Sequence, residues 1–263
     1  MTQPLVASGL WRRLAIENPD GSGDTSTQVF WLQAGSYYAD IRIPADRPAV
    51  AEGEIELSND LLRALARQQG FAGETVAAGE LCLWQRWLDF QPPALVPDEG
   101  RLEFNGRMLV EYGVHAPYIE HWWYEEDASG HYAAFRLQGE CSGMLLIAGG
   151  YFMRAIGRAQ ALPQGMALEY LIEQAAGNRQ QLASLLDCEI SFGRCDGAPR
   201  SWRITHSTLP WLEGDKLFAA GAPDWQGREQ LVEPLAETGE RLWLRCESTD
   251  SGISVFDREA YDA

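Results

Sequence analysis

The segment AGSYYADI, residues 34–41, has a counterpart in AGGYFMRA, residues 148–155, and this pair decides the predicted fold. In each half a strand ends in Ala-Gly and an aromatic strand follows. Gly149-Gly150 lies within strand-like sequence, where glycine indicates a bulge or a close backbone approach. Further matches follow in the same order at a nearly constant spacing. The matching pairs are, in chain order, Tyr37 and Tyr151, Trp84 and Trp202, the Leu-Val-Glu tripeptides at 109–111 and 231–233, and the following Trp123 and Trp243. The shared order predicts two related domains, residues 1–130 and 131–263.

The rest of the pattern is that of short antiparallel strands. Alternating apolar runs are separated by turn residues, and Asn105-Gly106 between two such runs is a strong hairpin signal. One helix is predicted in each half, at residues 58–69 and at residues 166–186, where the helical spacing of apolar residues is broken near Gly177. Short antiparallel strands hide one face most simply by curling. We therefore expect a mainly β fold of two related antiparallel β-barrels, each with one helix.

Composition excludes several classes of protein. Hydrophobic residues make up 46% and charged residues 22% of the 263 residues, as in globular rather than disordered proteins. The formal net charge of −17 disfavours nucleic acid and anionic lipid as partners. No apolar run reaches the roughly 20 residues needed to cross a bilayer. Residues 1–18 also lack the pattern of a secretory signal, so we expect a cytoplasmic protein without membrane insertion.

Cysteines and histidines give no sign of a metal site or a cofactor. The five cysteines are odd in number and include no Cys-x-x-Cys pair, which is typical of free thiols in a reducing compartment. The four histidines do not stand at the spacing of metal ligands. No glycine-rich phosphate loop and no Gly-x-Ser-x-Gly elbow occurs. We predict no metal, no cofactor and no catalytic residue.

Tryptophan is abundant, with ten in the chain. Large aromatic side chains either line an apolar ligand cavity or fill a core. Within YIEHWWYE, residues 118–125, strand alternation places Glu120 and Trp122 on one face and His121 and Trp123 on the other. Both faces combine aromatic and ionisable groups, as the wall of a ligand cavity does. The candidate ligand-binding residues are Trp84, Trp87, Tyr112, Glu120, His121, Trp122 and Trp123, with Glu111 and Tyr118 as further polar candidates.

Tyr38, Asp40 and Arg42 share one face of a predicted strand. Two interpretations are open at this point. The three side chains form a polar cluster, or Asp40 and Arg42 belong to an exposed face.

Four segments occur in this order along the chain: YYADIRIP at 37–44, IEHWWYE at 119–125, MLLIAGGYFMRAIGR at 144–158 and CEISFGR at 188–194. Together they resemble a small family of duplicated lipocalin-like proteins, the fungal casein-kinase-interacting proteins. By position, the residues that fit the family's pattern are Tyr38, Asp40, Pro44, Glu120, Trp122 and the stretch Gly149 to Arg154. The resemblance implies two calycin-type β-barrels, with no established enzymatic activity and no agreed ligand. Because the tryptophan excess, His115 and His121 depart from the pattern, partners of the fungal proteins are not transferred to this chain.

Two functions of different classes follow from this sequence. The first is a binding protein that takes a small apolar or amphipathic ligand into the tryptophan-rich first barrel. The alternative is a protein interaction module with filled barrels, in which an aromatic patch or a sheet edge recruits another protein or a second copy of the chain. An enzyme is a third possibility, although no spacing in the chain demands one.

Overall fold

Strands dominate the structure, a computed structural model that describes residues 6–50, 58–139, 142–195, 201–226, 229–236 and 239–249. The expected mainly β fold is confirmed. The strands are β1 (Gly9–Glu17), β2 (Gly23–Asp24), β3 (Gln28–Ala34), β4 (Tyr37–Ile43), β5 (Gln69–Ala78), β6 (Leu81–Asp89), β7 (Glu99–Asn105), β8 (Met108–Gly113), β9 (Ile119–Glu125), β10 (Tyr132–Gln138), β11 (Gly143–Ala148), β12 (Tyr151–Ile156), β13 (Glu189–Arg194), β14 (Arg203–Ser207), β15 (Asp224–Gln226), β16 (Gln230–Leu235) and β17 (Gly239–Ser248). The α-helices are α1 (Asn59–Ala66), α2 (Leu168–Gln174) and α3 (Arg179–Leu186).

Eight strands of the first sheet form a closed antiparallel barrel. Their order is β1-β3-β4-β5-β6-β7-β8-β9, and β1 also pairs with β9, from Leu10 opposite Glu125 to Glu17 opposite Ile119. The short strand β2 is added outside, along β1. Because the first and last strands pair with each other, the sheet closes on itself as a barrel.

The second sheet has the order β14-β13-β12-β11-β10-β17-β16-β15, and β10 pairs with β17. It curves around its own apolar cluster, which includes the fully buried Phe135, Phe152 and Trp243. An isolated bridge joins Arg203 of β14 to Lys216. The inner face of this sheet is thus covered by its own side chains.

The hairpin predicted at Asn105-Gly106 forms, and the structure adds two hairpin turns at Gly35 and Gly149, where the sequence indicated a bulge or a close backbone approach at Gly149-Gly150. Ala34 pairs with Tyr37 around Gly35, whose φ is +64°, and Ala148 pairs with Tyr151 around Gly149, whose φ is +55°. Positive φ values are readily adopted only by glycine, which explains the Ala-Gly start of both segments. Asn105-Gly106 likewise joins β7 to β8.

The helices connect β4 to β5 and β12 to β13. The hydroxyl of Ser58 accepts a hydrogen bond from the Leu61 amide at 3.3 Å and begins α1. In the second half, the expectation of one helix is wrong, because the chain reverses at Gly177, with a φ of +84°, and Asn178 caps a new helix. No helix within the described ranges is both long and apolar enough to span a bilayer.

The two sheets pack against each other through a shared apolar core. Leu32, Ala39 and Ile41 project from the outer side of the barrel into this core, where they meet residues of β11, β12 and β13 such as Leu146. The rings of Phe30 and Phe192 stack across it with centroids 4.5 Å apart. Strands β3 and β4 are therefore buried on both faces.

Polar contacts fix the two halves relative to each other. The Glu247 carboxylate accepts a hydrogen bond from the Ser36 amide at 3.0 Å. The Arg158 guanidinium donates to the carbonyl oxygen of Phe90 at 2.7 Å, and that of Arg47 donates to the carbonyl oxygen of Ser207 at 2.6 Å. Since the halves share a core and these contacts, the division of the chain at residue 130 stays a prediction.

Gly149→Ala is expected to destabilise the protein more than Gly79→Ala. Both glycines have positive φ, so each substitution costs about 1 kcal/mol of backbone strain. A Cβ at Gly149 would also lie 2.6 Å from the Asp127 carbonyl oxygen, whereas nothing lies within 4 Å of a Cβ at Gly79. We expect an additional loss of about 2 kcal/mol for Gly149→Ala. Urea unfolding of both variants measures the difference, and equal losses would contradict it.

Candidate functional site

The interior of the first barrel is filled by aromatic side chains. Trp31, Trp122 and Tyr38 are fully buried there, and Trp31 meets Trp84 and Trp122 edge to face with ring centroids 5.7 and 5.5 Å apart. The cavity left among them measures about 10 Å³. That volume holds about one water molecule. The barrel interior is thus a packed core without space for a small organic ligand.

A cluster of charged side chains lies inside the same barrel. The Glu120 carboxylate contacts the guanidinium of Arg13 at 2.6 Å and that of Arg42 at 3.0 Å, and Arg42 also contacts Asp40 at 2.9 Å. Asp40 and Glu120 are both buried, and burial raises the pKa of Asp40. Of the two interpretations of this strand, the structure supports the polar cluster over the exposed face. Buried charges are tolerated only when paired in this way.

Glu111 is a third buried acid of the barrel, beside Asp40 and Glu120. Its carboxylate accepts hydrogen bonds from the Tyr118 hydroxyl at 2.8 Å and from the Trp122 indole N–H at 3.1 Å. Burial, followed by the charge of Glu120, raises the pKa of Glu111 to about 8. At neutral pH this side chain is therefore mostly protonated.

The second half contains a similar indole–carboxylate pair. The Trp243 indole donates to Glu233 at 2.9 Å, and Arg154 contacts Glu233 at 2.8 Å and Glu189 at 2.8 Å. Leu231 pairs with Trp243, as Leu109 pairs with Trp122. The tryptophan that corresponds to Trp243 in register is consequently Trp122 rather than the predicted Trp123.

The structure divides the predicted ligand-binding residues between two environments. Trp84, Glu120 and Trp122 are buried inside the barrel, and Glu111 lies with them. The other four residues face outward, and each packs against a neighbour on the outside of the barrel. His121 contacts Glu17, and Trp123 lies under Arg107. Tyr112 lies under Arg101, and Trp87 packs on Tyr37 and under Arg136. The predicted alternation of YIEHWWYE is confirmed. The seven residues do not line one common cavity.

A cleft of about 470 Å³ opens in the wall of the first barrel, between β6 and the segments that flank β7; we call it the seam cleft. Its volume lies in the range of small-molecule sites. Two predicted residues, Trp84 and Trp87, line it. The other apolar lining residues are Leu83, Leu88, Pro93, Ala94, Val96, Pro97 and Ala116.

The cleft exists because β6 loses its partner on one side. β6 pairs with β5 as far as Asp89, but with β7 only from Leu81 to Leu83, and the last bond between them runs from the Trp84 amide to the Asp98 carbonyl at 2.9 Å. The facing segment begins with Pro92-Pro93 and ends with Pro97. Proline has no N–H to donate to a strand ladder, so this segment cannot continue the sheet.

Contacts with the second half hold the proline-rich segment away from β6. The carbonyl oxygen of Pro93 accepts a hydrogen bond from the Gly165 amide at 3.0 Å. The carbonyl oxygen of Ala94 accepts one from the Gln164 side chain at 2.8 Å. The cleft that these prolines produce was not predicted from the sequence.

Acidic groups predominate among the charges of the seam cleft. The Arg86 guanidinium is bound by two carboxylates, Asp89 at 2.8 Å and Asp98 at 2.6 Å. Glu99 lies 2.9 Å from a ring nitrogen of His115. One arginine thus faces three carboxylates, so the cleft favours a cation over an anion.

A thin wall separates the seam cleft from the buried charges. Trp84 and Asp98 line both the cleft and the 10 Å³ cavity. Tyr118 lines the cleft while its hydroxyl donates to Glu111. Within the described part of the chain, no group of three or more His, Cys, Asp or Glu side chains is arranged to hold a metal ion.

Comparison with known proteins supports the fold. The chain is similar to the crystal structure of an uncharacterized protein from Saccharomyces cerevisiae, with a TM-score of 0.53 and 11% sequence identity over 92% of this chain and 98% of that one. At this identity the likeness concerns the fold alone. Neither the protein-family models nor the curated proteins gave a match.

Glu111→Gln is expected to weaken the dependence of stability on pH. The folded protein keeps a proton on Glu111 that the unfolded chain releases above its ordinary pKa of 4.5, so stability falls as the pH rises from 4.5 to about 8. One such proton contributes a slope of at most about 1.4 kcal/mol per pH unit. Urea unfolding between about pH 5 and 7 should show a shallower slope for Glu111→Gln than for the exposed control Glu126→Gln. Equal slopes would show that Glu111 ionises normally.

Proposed function

We propose that the protein is a binding protein whose ligand occupies the seam cleft. The ligand class is a small amphipathic molecule with an apolar body and a positively charged group. The observation that supports this most is the combination of a 470 Å³ cleft with an apolar lining that includes Trp84 and Trp87. Concave, mostly apolar sites with a few polar groups are typical of ligand binding.

This proposal moves the ligand out of the barrel interior. The sequence suggested a ligand among Trp84, Trp87, Trp122 and Trp123, but Trp122 is packed in the core and Trp123 lies on the outside under Arg107. A ligand would have to displace several buried aromatic residues to enter. The seam cleft requires no such repacking.

The ion pairs already present in the cleft indicate which ligand charge it favours. Asp89 and Asp98 are both engaged by Arg86, whereas the carboxylate of Glu99 contacts His115 and, among the residues that the structure describes, no arginine or lysine. A ligand ammonium group could share the carboxylate of Glu99 or of Asp98. An anionic ligand would be repelled by the three carboxylates of the cleft, and the guanidinium of Arg86 already binds two of them.

An interaction module is the second candidate, and one observation favours it. Leu95 is 77% exposed and Val96 is 54% exposed, both on the proline-rich segment at the edge of the cleft. Exposed apolar side chains beside a cleft are typical of a surface that binds another protein. The net charge of −17 makes a basic partner more favourable than a second copy of the chain.

We also infer that the two halves are copies of one barrel unit. Support comes from the equivalent strand order, the turns at Gly35 and Gly149, and the two indole–carboxylate pairs. Membership of the fungal casein-kinase-interacting family is proposed on the same features and on the sequence segments that resemble it.

Octylammonium and octanoate test the proposal, because they share an apolar chain and differ in charge. We expect octylammonium to bind about tenfold more tightly than octanoate in calorimetric titrations, because one charge-assisted hydrogen bond contributes about that much binding free energy. Ala94→Trp, at an exposed residue of the cleft, should abolish binding by filling the space. Ala78→Trp, at an exposed residue of β5 outside the cleft lining, is the matched control.

Two outcomes would overturn this assignment. Equal binding of octylammonium to the wild type and to Ala94→Trp would place the ligand elsewhere. Absence of binding at concentrations near 1 mM, about the weakest affinity worth assigning to a specific site, would remove the small-ligand function.

A further inference from the structure

We propose that the natural occupant of the seam cleft is an extended peptide segment of a partner protein, which adds to β6 as an extra strand. This inference rests on the proposed function in one respect, which is that the seam cleft is a binding site for a ligand with an apolar and a positively charged part. It assigns both parts to the side chains of a peptide.

The shape of the cleft supports strand addition. Every residue from Leu83 to Asp89 lines it. Neighbouring side chains of a strand point to opposite faces of the sheet. A cavity that touches all of these residues must therefore lie along the edge of β6, where the backbone groups are, rather than above one face.

The edge of β6 is open over its second half. Among the described residues, Gln85, Arg86, Leu88 and Asp89 pair with β5 on one side, and no residue from Gln85 to Asp89 pairs with a strand on the other. The register between β5 and β6 shifts at Ala72 and Gly73, and such a bulge bends a strand and increases its twist. The bend and the prolines opposite together leave a gap in the ladder.

The length of the gap defines the occupant. The stretch Gln85 to Asp89 spans roughly 17 Å at about 3.3 Å per residue. A peptide of about five extended residues fills it. The peptide continues the ladder where β7 leaves it, beyond the bond from the Trp84 amide to the Asp98 carbonyl.

The lining specifies the side chains of the peptide. Because the bulge interrupts the alternation of β6 at Trp87, Trp87 and Leu88 both pack toward the core between the two sheets. One set of alternating peptide side chains would contact these two residues and the exposed Val96, so apolar residues suit these positions. Lysine or arginine suits the other positions, because the cleft presents Asp98 and Glu99 and the only arginine in its lining is already bound by two carboxylates. In peptide recognition at a sheet edge, backbone hydrogen bonds supply affinity and pockets for alternate side chains supply specificity.

Three capped pentapeptides test the proposal. The first alternates valine and lysine, the second replaces lysine by glutamate, and the third replaces the valine N–H groups of the first by ester oxygens. The ester analogue keeps the shape and the side chains but loses backbone donors. We expect the valine–lysine peptide to bind at least about tenfold more tightly than either analogue in calorimetric titrations.

Hydrogen exchange locates the bound peptide. On binding, those backbone amides of residues 85–89 that point to the open edge, about every second one, should exchange more slowly, since strand pairing protects N–H groups at the edge. The amides that face β5 should be unchanged and serve as the internal control. Glu99→Gln should weaken binding of the valine–lysine peptide severalfold. Glu103→Gln, on the same strand but outside the cleft lining, should leave it unchanged.

The outcomes separate this inference from the proposed function. Equal binding of the peptide and its ester analogue would overturn strand addition. Binding of octylammonium without binding of any peptide would overturn the inference and leave the proposed function standing. Failure of both probes to bind would remove the proposed function and the inference together.

Discussion

The burial of β4 on both faces is the constraint on which the rest of the structure depends. One face of the strand places Tyr38 and Asp40 inside the barrel, and the other places Ala39 and Ile41 in the core between the two sheets. A strand in this position has no solvent-exposed face for its polar residues. Asp40 is therefore paired with Arg42, and Arg42 with Glu120, in a buried network. Breaking one member would leave an uncompensated buried charge, which typically costs about 3–5 kcal/mol.

The filled barrel determines where a ligand can bind. Large tryptophans and the ion-pair network occupy the volume that a hollow barrel would offer. Space is found instead where the wall separates, at the seam between β6 and β7. The two regions are still connected, because Trp84 lies between them and Tyr118 joins the cleft to Glu111. A ligand in the cleft would thus contact Tyr118, whose hydroxyl is bonded to Glu111, the buried acid whose pKa is raised to about 8.

Much of the local structure could be predicted from the sequence. The hairpin at Gly106, the helix after Ser58 and the alternation in YIEHWWYE all follow from short-range patterns. The candidate site was predicted only in part. Trp84 and Trp87 do line the cleft, whereas His121, Trp123 and Tyr112 face outward and Glu120 and Trp122 belong to the core. Period-two alternation assigns residues to faces but does not say which face is inside.

The sequence by itself determined the strands, the turns and the composition of each face, because these depend on residues within a few positions of each other. Only the tertiary structure decided that the barrel is filled and that the seam opens. The prolines at 92, 93 and 97 prevent pairing with β6, but Gln164 and Gly165 of the other half hold their segment away. Such contacts join residues about 70 positions apart and depend on how the two sheets pack. No local pattern encodes that packing, since it arises from burial of the apolar outer face of β3 and β4 against the second sheet.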